Sequence, residues 1–214
     1  MKIYDISQEV FSCAVYPGDP QPERKRLSAT EDGDLYNLTA FSMCAHNGTH
    51  IDAPFHFLHD GKTIEQLDLS VFVGECWLCR CCGEIGAEDA ARILGKSAGA
   101  KRILIAGPVT VTAAAARVFA RSGICLLGNE GQSVGPENAP MEVHKILLGA
   151  EIALLEGVVL KDIPEGRYFL SAAPLTLAGA DGAPCRAYLM KEEEKIILFY
   201  LVAMKESTPP VCRK

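Results

Sequence analysis

The sequence predicts a mixed α/β domain, and three observations carry that prediction. Two short apolar runs, Ile103-Leu-Ile-Ala106 and Ile124 to Leu127, are of the buried-strand kind. Helix-patterned stretches lie before, between and after them. Both ends of the chain are strand-rich, with no Pro/Gly/Ser-rich linker, internal repeat or low-complexity segment between them. Such an order points to a mixed sheet with flanking helices, and residues 1–214 read as a single domain.

Ile3 to Val10 reads as a first strand. Tyr16-Pro-Gly-Asp-Pro20 is a turn, because its prolines fix φ and its glycine accepts φ > 0. Leu35 to Cys44 alternates loosely and reads as a strand entering a histidine-rich run. Phe72 to Cys82 is a further strand, followed by a helix over Gly86 to Leu94. Thr112 to Ser122 is an alanine-rich helix, capped by Thr112 and ended by Gly123. Pro140 opens a helix through Leu148, stopped at Gly149. Ile152 to Leu155 is a strand ending at Glu156. Tyr168 to Met190 reads as a hairpin around Gly179-Ala-Asp-Gly182, with a last strand at Lys195 to Val202.

Composition narrows the function classes. The chain is 49% hydrophobic and 22% charged with a net charge of −6, ordinary for a soluble globular protein. That charge argues against a broad nucleic-acid surface, and the one basic run, Arg24-Lys25-Arg26, reads as a solvated face. No segment reaches the ~20 apolar residues that span a bilayer. Met-Lys-Ile-Tyr-Asp-Ile lacks the apolar core of a signal peptide, so a cytoplasmic location is expected. Nine cysteines, four of them crowded at 76, 79, 81 and 82, do not resemble a disulfide framework.

The chemistry concentrates in His46-Asn-Gly-Thr-His50-Ile-Asp52-Ala-Pro-Phe-His56. All four ligand-type residues have the same parity, so an extended segment directs them to one side. Gly48 and Pro54 bend the run around a point and break any helix. Imidazoles and a carboxylate grouped in this way suit a divalent transition metal, zinc first and manganese second. His59 reads as exposed beside Asp60.

The run resembles the hallmark His-x-Gly-Thr-His-x-Asp-x-Pro-x-His of the cyclase-like metal hydrolases, a family that includes bacterial kynurenine formamidase (arylformamidase). Tyr16-Pro-Gly-Asp-Pro20 looks like that family's early turn. Phe57, Asp60-Gly61 and Thr63 follow the hallmark as expected. His144 and Glu156 match a later His…Glu pair, and Ala173 to Arg186 is similar to the C-terminal hairpin. The resemblance implies one or two ions held by His46, His50, Asp52 and Glu156, with Asp52 able to bridge. It implies that His56 and His144 complete a second position or act as acid and base. It also implies a small β-barrel-like core of the swivelling β/β/α type, and a homodimer or higher homo-oligomer with the site near the interface. Two segments depart from the family pattern: Gly128-Asn-Glu-Gly-Gln-Ser-Val-Gly135, and the shortened Ala106-Gly107-Pro108.

The expected activity is hydrolysis of an amide in a small-molecule substrate, of the arylformamide kind, by metal-activated water. His56 is the first choice of proton donor to the leaving amine and His144 the second. Tyr16 is the candidate substrate-binding residue, with packing as its alternative role. The same centre could instead open another amide, lactam or lactone. A different class, a thiol redox or metal-binding protein built on Cys76 to Cys82, is disfavoured. A reactive Cys-x-x-Cys should open a helix, whereas this one lies in a strand pattern that sends Cys79 and Cys81 to the face opposite Cys76 and Cys82.

Overall fold

The computed structural model describes residues 1–192; the strand predicted at Lys195 to Val202 lies outside them. Strand β1 (Lys2–Asp5) ends well before Val10, which instead opens a 3-10 turn over Val10–Ser12. β2 (Glu23–Ser28) and β3 (Leu38–Ser42) pair as a separate two-stranded ribbon, and the basic run lies exposed on β2. β4 is short (His50–Asp52) and fully buried. After α1 (Leu69–Phe72) come β5 (Val73–Arg80) and β6 (Gly83–Ile85), then α2 (Ala87–Lys96), β7 (Arg102–Ala106) and β8 (Val109–Val111). The remainder is α3 (Ala113–Ala120), β9 (Leu126–Asn129), α4 (Met141–Gly149), β10 (Ala153–Glu156), β11 (Gly166–Ser171), β12 (Gly182–Pro184) and β13 (Tyr188–Lys191).

Among the described residues, nine strands form one mixed sheet in the order β1-β13-β11-β5-β7-β9-β10-β4-β12. Its centre, β5-β7-β9-β10, is parallel, and each crossover carries a helix, as parallel strands require. Side-chain alternation divides the core in two. Leu104 and Ala106 of β7 join Cys76, Leu78, Leu155 and Ile51 on one face. Ile103 and Ile105 join Cys79, Phe119 and Leu147 beneath the helices on the other. Thr112 caps α3 as its sequence predicts, its hydroxyl accepting from Ala115 N at 3.3 Å.

The predicted tail hairpin is present: Pro174 bridges Cys185 in the register that β11 and β13 share, which places its turn at Gly179 and Ala180. What the sequence did not indicate is that β12, on the returning arm, also pairs with β4 at the far edge of the sheet. The buried edge of β4, whose backbone groups need a partner, accounts for that second pairing.

Candidate metal centre

The ligand run is not one extended segment. Only His50 and Asp52 share a strand face, that of β4, with Ile51 turned into the opposite core. His46 sits in the turn before β4, and His56 ends the 3-10 turn Pro54–His56, with Pro54 at its start. Convergence of His46 and His56 therefore comes from the bends rather than from strand parity. Gly48 makes the first bend possible: it has φ +64°, and a Cβ there would lie 2.8 Å from Cys13 Cβ.

β10 lies beside β4 with Glu156 directly opposite His50, and α4 lowers His144 onto the same face. Four ionisable groups thus converge where water is excluded. His50, Asp52, Glu156 and His144 are each 3% exposed or less. His50 Nε2 lies 3.2 Å from Asp52 Oδ1 and 3.6 Å from Glu156 Oε2. His144 Nε2 lies 3.2 Å from Glu156 Oε1 and 3.6 Å from Asp52 Oδ2. His46 Nδ1 adds a contact of 2.9 Å to Asp52 Oδ1. Asp52 thereby faces imidazoles with both of its oxygens.

The outer nitrogens are occupied too. His50 Nδ1 is 3.0 Å from the Gly48 carbonyl and His144 Nδ1 is 2.9 Å from the Pro140 carbonyl. A carbonyl only accepts, so those nitrogens carry the proton and the Nε2 lone pairs are left for the centre. Among the described residues, two groups have ligand atoms close enough to hold an ion: His50, Asp52 and Glu156, and His46, Asp52 and His56, with Asp52 common to both. Burying two carboxylates costs several kcal/mol per ion unless they are paired. The donor set, its shared carboxylate and its preset imidazole tautomers all fit a divalent transition metal.

In the chain alone, protons take the place of that charge. Burial works against a charged His46, but its hydrogen bonds to Asp181 and Asp52 prevail and raise it to about 11. His50 is likewise raised, burial being outweighed by its hydrogen bond to Asp52. His144 is raised chiefly by Glu156, again against burial. Asp52 is pulled well below the carboxylate range by His46 and His50, although burial pushes it upward.

The other expected residues fall as follows. His56 does not touch Asp52 or Glu156; its Nδ1 lies 3.0 Å from Asp181 Oδ2, and its side chain is 27% exposed. The Tyr16 hydroxyl donates to the Glu137 carbonyl, fastening the early turn to the loop that leads into α4. His59 is exposed beside Asp60. Asp181 went unread in the sequence: it lies in the turn Gly179-Ala-Asp-Gly182, where turn chemistry explains an aspartate, and no local spacing links it to His46 or His56. Cys76 and Cys79 point into opposite cores, and burial pushes both thiols up to about 12, the reverse of a reactive thiolate.

Comparison with known proteins agrees with this geometry. The Cyclase family model matches residues 4–97. The kynurenine formamidase of Erythrobacter litoralis is 33% identical over 202 residues, covering 88% of this chain and 93% of that protein. The chain belongs to the cyclase family. The kynurenine formamidase of Geobacillus thermodenitrificans is 35% identical, covering 87% of this chain and 96% of the relative. Among solved structures, a potential metal-dependent hydrolase with cyclase activity superposes with a TM-score of 0.76 at 32% identity, over 90% of this chain and 98% of that one. An isatin hydrolase bound to thioisatinate shares the fold, with a TM-score of 0.78 at 18% identity over 90% of this chain and 93% of its own. This cyclase-family member thus has the curled mixed α/β sheet that its sequence predicted, and its buried His/Asp/Glu groups lie where a metal cofactor would be held.

Proposed function

We propose that this protein is a metal-dependent amide hydrolase that removes the formyl group from an N-formyl-arylamine of the kynurenine type. The observation that carries the reading is the convergence of His50 and His144 on the buried pair Asp52 and Glu156. Its kynurenine formamidase relatives supply the substrate class. His46, His50, Asp52, Glu156 and His144 are the proposed ligands, with zinc favoured by the imidazole-rich set and manganese second. A divalent ion held there polarises a carbonyl oxygen and lowers the pKa of coordinated water toward about 7.

The rest of the work falls to the side chains. Asp52 and Glu156 offset the charge of the cation and keep their oxygens inside the sheet edge. His56, the most exposed of the clustered imidazoles, is the proposed proton donor. With Nδ1 held by Asp181, it delivers the proton from Nε2 to the departing arylamine nitrogen. The C–N bond breaks, water supplies the oxygen of formate, and the free arylamine leaves. The exposed ribbon of β2 and β3, with Phe41 packed edge-on against Phe11, is the proposed contact for a second copy in a homodimer.

Protein purified without chelator should contain zinc or manganese and convert N-formylkynurenine to formate and kynurenine. Metal-replete protein that hydrolyses no amide, lactam or ester would overturn the reading. Turnover confined to cyclic amides would move the substrate assignment and leave the centre in place.

A further inference from the structure

An imidazole can use only one nitrogen for a metal or a substrate proton, and the acceptor at its other nitrogen decides which one. For His50 and His144 that acceptor is a backbone carbonyl. His46 and His56 depend instead on one side chain. His46 Nε2 lies 2.9 Å from Asp181 Oδ2, and His56 Nδ1 lies 3.0 Å from the same oxygen. The two rings stack with centroids 4.0 Å apart and planes tilted by 30°, so turning either ring disturbs the other.

We infer that Asp181 is the positioning residue for both imidazoles, so that His46 presents Nδ1 toward Asp52 while His56 keeps Nε2 for proton exchange. An ionised carboxylate only accepts, so each nitrogen facing it carries a hydrogen. The backbone fixes its place. Ala53 N donates to the Asp181 carbonyl at 2.9 Å, and Ile64 N to the Ala180 carbonyl at 2.9 Å. Gly182 must follow, because a Cβ there would come within 2.7 Å of His46 Cε1. β12 thus serves as a short bracket that carries a carboxylate to the open side of the centre.

The inference rests on the metal-centre reading above, and its test separates the two. Zinc affinity would be measured by competition with a chromophoric chelator for the wild type, Asp181→Ala and Asp181→Asn. Imidazole tautomers would be read on the zinc-loaded proteins by long-range 1H–15N correlation spectra. Asp181→Ala keeps both backbone bonds and should fold, yet bind zinc about 10–100-fold more weakly, the usual cost of losing an outer-shell partner. His46 and His56 should lose their single tautomers while His50 and His144 keep theirs. Asp181→Asn, isosteric and with one oxygen still able to accept, should fall between wild type and Asp181→Ala. If wild type binds zinc and both variants match it in affinity and tautomer, the role of Asp181 is overturned and the centre stands. If wild type binds no zinc, the metal-centre reading falls and the role of Asp181 with it.

Discussion

Two parts of this chain crowd metal-type ligands into a few residues, and the fold treats them oppositely. Between residues 46 and 56 the backbone bends twice, so that imidazoles and a carboxylate from a turn, a strand and a 3-10 turn face inward. Between residues 76 and 82 it stays extended through Arg80, and alternation separates Cys76 and Cys79 into the two cores. The polar cluster is buried with a partner for each imidazole. The thiols of Cys76 and Cys79 are buried among hydrocarbon, where they act as small apolar groups, and Cys82 is exposed. Spacing alone does not make a site. The donors must converge, and acceptors behind them must fix which atom each presents.

The sharpest way to break the comparison is Asp52→Asn, which removes the negative charge and one oxygen of the carboxylate shared by both candidate ion positions. It should strip metal and cost more activity than the roughly 10–100-fold typical of losing an outer-shell partner. Metal analysis and kcat/KM on one sample would check this, and retention of both would move the centre elsewhere. His56→Ala comes next: a lost proton donor costs on the order of 10²–10⁴-fold in kcat. Metal content should persist; its loss would make His56 a ligand instead.

A third test concerns protons. His46, raised to about 11, is charged at neutral pH in the chain alone, so binding a cation must expel its ligand-side proton. Apparent metal affinity should therefore rise with pH, and calorimetry in buffers of different ionisation enthalpy should register proton release. Binding without release would show that His46 is not a ligand.

In the cysteine region the effects should shrink to stability. Cys79→Val should shift unfolding by about 0.5–3 kcal/mol, with metal content and turnover of the folded protein unchanged. Smallest of all is His59→Ala, expected to lie within about 0.5 kcal/mol of wild type and to leave kcat/KM unaltered. A large catalytic loss from either variant would erase the contrast.

What could be read ahead of the structure follows the same physics. Ile103 to Ala106, Ile124 to Leu127 and Ile152 to Leu155 announce strands because a parallel centre buried on both faces demands apolar runs. The eleven-residue ligand run is legible because its chemistry is local. The pairing of β12 with β4 is not: Gly182-Ala-Pro184 reads as the returning arm of a hairpin, and nothing local names its second partner. Asp181 was hidden with it, 135 residues from His46 in the chain. The extended reading of residues 46–56 failed for a related reason. Parity predicts a shared face only while the backbone stays extended, and Gly48 and Pro54 end that on either side of β4.

The position of β4 also bears on how the protein is made. This short strand is flanked by β10 on one side and β12 on the other, both from the far half of the chain. Its own residues leave the ribosome early but have nothing to pair with until those strands arrive. Loop closure over such separations is entropically costly and slow. Capture of the proposed ion would therefore belong to the final stage of folding, and a nascent chain that stalls before β12 carries His46 to His56 without the strands that enclose them.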